Sequence, residues 1–173
     1  MNEAELIAGI DPESVRAIRL NQRDGMGPSV LVDADDYEGL MEHRWHPNYG
    51  YAVRSTYSDG KRGVASMARD VMGLTDSTME VDHINRNRLD NRKANLRVAT
   101  RQQNAQNVSA RGGSSEHRGV HWAKHANKWC AQGRVDGKTH HLGLFEDEQD
   151  AADAASNWRR DNTPFAADDQ GAN

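Results

Sequence analysis

An aspartate and a histidine stand side by side at Asp82 and His83, and asparagines follow at Asn95 and Asn104. Carboxylate and amide oxygens are hard donors that suit magnesium, manganese or calcium. A neutral imidazole near its ordinary pKa can take a proton from water at neutral pH. It needs a partner to fix its tautomer and orientation, and the side-chain carbonyl of Asn95 could be that partner. One imidazole beside two oxygen-bearing side chains suits a small metal site that attacks a phosphodiester. Two protein ligands would leave positions open for a phosphate oxygen and the leaving 3′ oxygen. The competing reading is a solvated turn rich in Asn and Arg.

The stretch that must position these residues is 81–107, VDHINRNRLDNRKANLRVATRQQNAQN. Its order reads strand, loop, strand, helix. A short run, Met79–Val81, ends at Asp82 and His83, where adjacent side chains need not point to opposite faces. Leu96 to Ala99 suits a strand with one face buried. Thr100-x-x-Gln103 has the form of a capping box, so a helix is expected from Thr100, with Asn104 in its first turns. Asp82 and Asn104 are too far apart to share one element. They meet only if the strand pair folds back on the helix.

The pieces VDHIN, LDN, NLRVAT and QN resemble, in order and spacing, the HNH nuclease motif of phage- and intron-type homing endonucleases. The resemblance covers about the middle sixth of the chain. It implies a ββα-metal unit in which His83 is the general base and Asn95 orients it. It implies that Asp82 and Asn104 hold one divalent cation, magnesium or manganese, and that Asn91 shapes the loop. The segments AIRL, GYAVR and MAR-VMG resemble the small sheet that precedes such motifs. Where relatives carry His before the Arg of the last segment, this chain has Ala68.

The chain has 173 residues, a hydrophobic content of 36% and a mean hydropathy of −0.93, so its cores must be small. A single cysteine, Cys130, rules out an internal disulfide and a multi-Cys zinc ribbon. No apolar run approaches a membrane span, and the acidic start MNEAELIAGIDPE lacks the basic region of a signal peptide. A soluble, cytoplasmic protein is expected, phage-encoded in a bacterial host. The net charge of −4 hides a division. Residues 81–145 carry 12 Lys and Arg against 4 Asp and Glu, together with six of the eight histidines. Residues 1–80 carry 8 against 14, and residues 146–173 carry 2 against 8. A basic block of this kind predicts salt-sensitive contact with nucleic acid.

A flexible arm is expected at 1–15, then a β-rich part with the nuclease unit at 16–107. Strands are expected at Val15–Leu20, Ser29–Val32, Tyr49–Thr56 and Gly63–Met67, with a hairpin through Asp59-Gly60 and a short helix at Asp35–His43. Trp45, Tyr49 and Tyr51 are expected in a core. A Gly/Ser-rich linker follows at 108–116, VSARGGSSE. Residues 117–163 read as three strands and a helix. Asp136-Gly137 makes a turn, Leu142 and Leu144 share one face, and Asp147 caps a helix whose Ala151, Ala154, Ala155 and Trp158 form an apolar stripe. Trp122 and Trp129 join Trp158 as expected core. An acidic disordered tail is expected at 164–173.

The pieces RGV, KW-A, LG-F and EDEQDAADAA resemble the AP2 DNA-binding domain. That resemblance implies a sheet lying in the major groove of double-stranded DNA, with Arg118, His121, Gln132, Arg134, Thr139 and His141 facing it. Lys124, Lys138, Arg97 and Arg101 complete the expected DNA-binding set. The sequence thus predicts an α+β protein: a β-rich part leading into a ββα-metal unit, then a three-stranded sheet plus helix. Its expected activity is metal-dependent hydrolysis of double-stranded DNA, as a homing endonuclease targeted by the AP2-like part. The rival reading is a non-catalytic DNA-binding regulator with a degenerate HNH unit. Oligomeric state and target site are not legible.

Overall fold

The computed structural model describes residues 13–22, 25, 27–107 and 113–166. Most of the expected arm, the first part of the expected linker and the end of the expected tail lie outside the described residues. The architecture is α+β, built from small antiparallel sheets. Contacts divide the chain into two units, Met1–Thr100 and Arg101–Asn173. The division falls ahead of the expected 108–116 linker for a physical reason. Residues 101–107 pack on the second unit, where Gln106 accepts from Arg118 Nη1 at 2.8 Å through its carbonyl. Its side-chain oxygen accepts from the Phe165 N–H at 3.4 Å.

In the first unit, β1 (Val15–Arg19) pairs with β2 (Ser29–Asp33), and α1 (Ala34–Met41) follows directly. β3 (His46–Asn48), β4 (Tyr51–Ser58) and β5 (Lys61–Ser66) form a second sheet. The expected turn joins β4 to β5, with Asp59 and Gly60 at φ 51° and 75°, the pattern that suits the twist of a tight hairpin. The last strand starts earlier than expected and stops at Ser66, because the Ser66 side chain accepts from the Arg69 N–H and caps α2 (Met67–Val71). Ile18, Leu20, Val30, Val32, Leu40, Trp45, Ala52 and Met67 make the core. Trp45 belongs there as expected, its indole N–H satisfied by the Leu40 carbonyl at 2.7 Å. Tyr49 does not: it is 89% exposed. Tyr51 is half-buried.

β6 (Met79–His83) and β7 (Leu96–Thr100) form a two-stranded ladder with Asp82 opposite Arg97 and His83 opposite Leu96. Arg69 straps the approach to β6 by donating to the carbonyls of Met79 and Asp76, each at 2.7 Å. The loop between β6 and β7 docks on β2, where the Leu31 N–H donates to Leu89 O and the Asn91 N–H to Leu31 O, both at 2.8 Å. A buried strand edge thereby supplies the partners that a polar loop needs.

In the second unit, α3 (Arg101–Asn104) is a single turn that ends at Asn104. β8 (Val120–Ala123), β9 (Lys128–Val135) and β10 (Lys138–Phe145) form an antiparallel sheet in the order β10-β9-β8. Asp136 and Gly137 turn at φ 51° and 76°. A bulge between His141 and Gly143 corrects the expected facing of β10. Leu142 and Phe145 pack on the helix side, whereas Leu144 stands opposite Cys130 and is 39% exposed. α4 (Glu148–Asn162) begins at Asp147, whose side chain accepts from the Gln149 N–H at 2.7 Å. It buries Ala151, Ala152, Ala155 and Arg159, one step round from the expected stripe. Trp122, Trp129 and Trp158 are half-buried.

Gly133 leaves room for Trp158 of α4 against the sheet, since a Cβ there would meet Trp158 Cε3 at 2.1 Å. Gly133→Ala should therefore overpack this layer and cost about 1–3 kcal/mol. Urea unfolding followed by tryptophan fluorescence measures it, and an unchanged midpoint would show that the helix yields freely.

Candidate active site

β6 ends in two buried polar residues, Asp82 and His83, each about 5% exposed. Adjacent side chains on a strand point to opposite faces, so the two meet different neighbours. Asp82 faces its cross-strand partner Arg97, whose Nε and Nη2 both donate to Asp82 Oδ2, at 2.9 and 2.7 Å. His83 turns toward the loop and the β3–β4 hairpin. Its ring lies 6.0 Å from that of Tyr51, and its Nε2 lies 3.4 Å from Asn91 Oδ1. Burial pushes the His83 imidazole below its ordinary pKa. The Asn91 contact and the carboxylates of Asp82 and Asp90 oppose that shift without reversing it, and Arg88 adds to it.

Asn95 occupies a different place from the one expected. Its side-chain oxygen accepts from the Asn85 N–H at 2.9 Å, and its amide donates to Asp90 O at 2.8 Å. It pins the two ends of the loop together. The amide oxygen that faces His83 belongs to Asn91, whose Nδ2 also reaches the Arg88 carbonyl at 3.3 Å. The two asparagines thus exchange the roles assigned from sequence: Asn95 shapes the loop and Asn91 meets the imidazole.

The loop has a hub that sequence reasoning passed over. Asp90 is 2% exposed. It accepts from Arg92 Nε and Nη2 at 2.7 and 2.6 Å, and from Asn85 Nδ2 at 2.9 Å. Its carboxylate raises the pKa of Arg92, first through the hydrogen bonds. The signal was present as LDNR, an acid two residues before an arginine in an otherwise acid-poor stretch.

A model of the family described as HNH endonuclease matches residues 67–106, which include Asp82, His83, Asn91, Asn95 and Asn104. A protein of Acanthamoeba polyphaga mimivirus, named as an uncharacterised HNH endonuclease, is 32% identical over 131 residues, 74% of this chain and 67% of its own length. The chain belongs to the HNH endonuclease family. No solved structure matches it significantly. Members of the HNH family generally use a divalent metal ion. Among the described residues, no group of three or more His, Cys, Asp or Glu could hold one, and no helix is long and apolar enough to cross a membrane.

The remaining expected residues scatter. Asn104 lies in the second unit, half-buried at the end of α3, and Arg101 is exposed at its start. Arg97, expected on DNA, is engaged by Asp82. Ladder register puts His121, Gln132, Arg134, Thr139 and His141 on the sheet face away from α4. Lys138 pairs with Val135 and falls out of that set, and Lys124 sits in the β8–β9 turn. Arg118, held on the Gln106 carbonyl, joins His121, Gln132, Arg134 and Thr139 in lining a cleft of about 910 Å³.

Removing the carboxylate of Asp90 would strand a half-buried guanidinium and open the loop. Asp90→Ala should cost about 3–5 kcal/mol, the usual effect of breaking a buried pair. Asn95→Ala should cost about 1–3 kcal/mol, as a lost buried hydrogen-bonding group does. Chemical denaturation of both variants checks the order; equal stability to the parent chain would mean that the loop is not held by this network.

Proposed function

We propose that the protein is a divalent-metal-dependent endonuclease that hydrolyses phosphodiester bonds in double-stranded DNA. The observation that carries this reading is the buried Asp82–His83 pair at the end of β6, inside the HNH match. His83 takes the proton from the attacking water. Burial favours its neutral form, which is the form a base requires. Asn91 Oδ1 and the Tyr51 ring hold the imidazole in place.

Asp82 and Asn104 are the proposed oxygen ligands of the metal. A buried carboxylate and an amide oxygen are hard donors that fit magnesium or manganese. Both Arg97 bonds converge on one carboxylate oxygen, Oδ2, and Arg97 thereby fixes the rotamer of Asp82. When bound, such an ion stabilises charge on the phosphate and the leaving oxygen.

For the second unit we adopt the AP2-like reading, with 117–163 as the targeting domain and 16–107 as the nuclease part. The shared outward face of Gln132, Arg134, Thr139 and His141, all exposed, supports it. A role as a phage-type homing endonuclease is consistent with a viral relative.

His83→Ala should lower plasmid nicking in magnesium by about 10²–10⁴-fold, the range for losing a general base, and leave DNA affinity unchanged. Chelator should abolish activity in the parent chain; full cleavage in excess chelator would remove the metal role of Asp82 and Asn104. The pH profile carries a sign. A folded pKa below the ordinary 6.5 keeps His83 neutral as pH falls through that value. The acid limb of kcat/KM should accordingly lie below pH 6.5 and vanish in His83→Ala. In the second unit, Arg134→Ala should weaken specific binding. If Arg134 reads a base edge, the loss should be about 1–3 kcal/mol at one base position. Binding profiles over single-base variants decide this, since a phosphate contact would weaken all sequences alike.

A further inference from the structure

The β6–β7 loop holds a cation that none of these roles uses. Arg88 is exposed, and among the described residues no carboxylate pairs with it. Surface arginines are ordinarily loose, but this one is fixed at two points. Its Nη1 donates to the Tyr49 carbonyl at 2.9 Å, and its Cζ lies 4.4 Å from the centre of the Tyr51 ring. The Tyr51 ring stands against His83. The main chain of Arg88 makes a second connection, because its carbonyl accepts from Asn91, the residue that faces the imidazole. Side chain and backbone of one residue are therefore both tied to the position of His83.

The hairpin that receives Arg88 is itself unusual. Tyr49 and Gly50 turn at φ 48° and 82°. A bulky residue seldom adopts that conformation without support, and the Arg88 bond to its carbonyl supplies support. The arrangement holds a guanidinium on the same Tyr51 ring that stands against the general base. A planar, permanently charged fork of donors matches a phosphate.

We propose that Arg88 binds a non-bridging oxygen of the phosphate attacked by the His83-activated water. This rests on the reading of His83 as general base. In the step, the water oxygen bonds to phosphorus while His83 accepts its proton. The bond from phosphorus to the 3′ oxygen breaks, and that oxygen leaves with the bonding pair and takes a proton from solvent. Negative charge gathers on the non-bridging oxygens, where a donor already in position needs no reorganisation. Arg88 is then a catalytic residue, and Tyr49 and Tyr51 are the residues that position it.

The test uses the full purified chain, supercoiled plasmid and magnesium. Arg88→Ala should slow single-turnover nicking by about 10²–10³-fold, as loss of one charge-stabilising donor does. Arg88→Lys should recover part of this. Guanidinium at sub-denaturing concentration should restore activity to Arg88→Ala and none to His83→Ala, a response that a purely structural role would not give. Binding supplies a readout without chemistry. In a His83→Ala background, adding Arg88→Ala should make the salt dependence of duplex affinity shallower by about 0.9 in log–log slope, one phosphate contact's worth. Arg88→Ala nicking at the parent rate would overturn the proposal. So would a slow variant that ignores guanidinium and keeps the parent salt slope. A parent chain that fails to nick while the slope still drops keeps the phosphate contact and removes the endonuclease reading. Nicking by His83→Ala at the parent rate would remove both.

Discussion

The β6–β7 loop must bury a carboxylate and two asparagine side chains, and everything at the site depends on how it does so. Asp90, Asn91 and Asn95 are all under 10% exposed. Each such group costs free energy unless it is paired. The loop answers with bonds among its own residues: Asn85 to Asp90, Asn95 to both, and Arg92 to Asp90. The network is closed on the fold by β2, whose Leu31 exchanges backbone bonds with Leu89 and Asn91. A partly satisfied network would be worse than an apolar loop, so the loop has few alternatives to this one shape.

That shape is what allows two neighbouring polar residues to be buried at the end of one strand. Asp82 looks across the ladder to Arg97, and His83 looks into the loop and toward Tyr51. The carboxylate lies against a guanidinium, whereas the imidazole is held toward its neutral form by burial. Two polar side chains one residue apart are thereby given different surroundings, an ion pair for Asp82 and a buried, amide-lined place for His83.

What was legible in the sequence was local. Asp59-Gly60 and Asp136-Gly137 announced their turns through residues that tolerate positive φ, and Asp147 announced the start of α4. The adjacency of Asp82 and His83 was visible without any fold. What stayed hidden depends on contacts distant in the chain. Asn91 and Asn95 have the same side chain, and only docking on Leu31 decides which one faces His83. Tyr49-Gly50 carries no turn signal at its first position, because the bond that supports it comes from Arg88. The bulge at His141–Gly143, which sends Leu144 outward, follows from pairing register and not from alternation along β10.

Charge shows the same limit in a form that bears on DNA contact. The 81–145 block looks strongly basic when its residues are counted. In the folded chain, Arg92 is engaged by Asp90, Lys93 by Asp36, Arg97 by Asp82 and Lys128 by Glu146. A cation already paired with a carboxylate releases no counterion when a phosphate approaches unless that pair breaks. The salt dependence of binding should then follow the exposed cations that have no acid partner among the described residues, Arg88 and Arg134 among them, and not the count of lysines and arginines. The pairs serve order in the loop and ladder, and among the described residues the exposed cations outside such pairs are what the protein can present to a phosphate backbone.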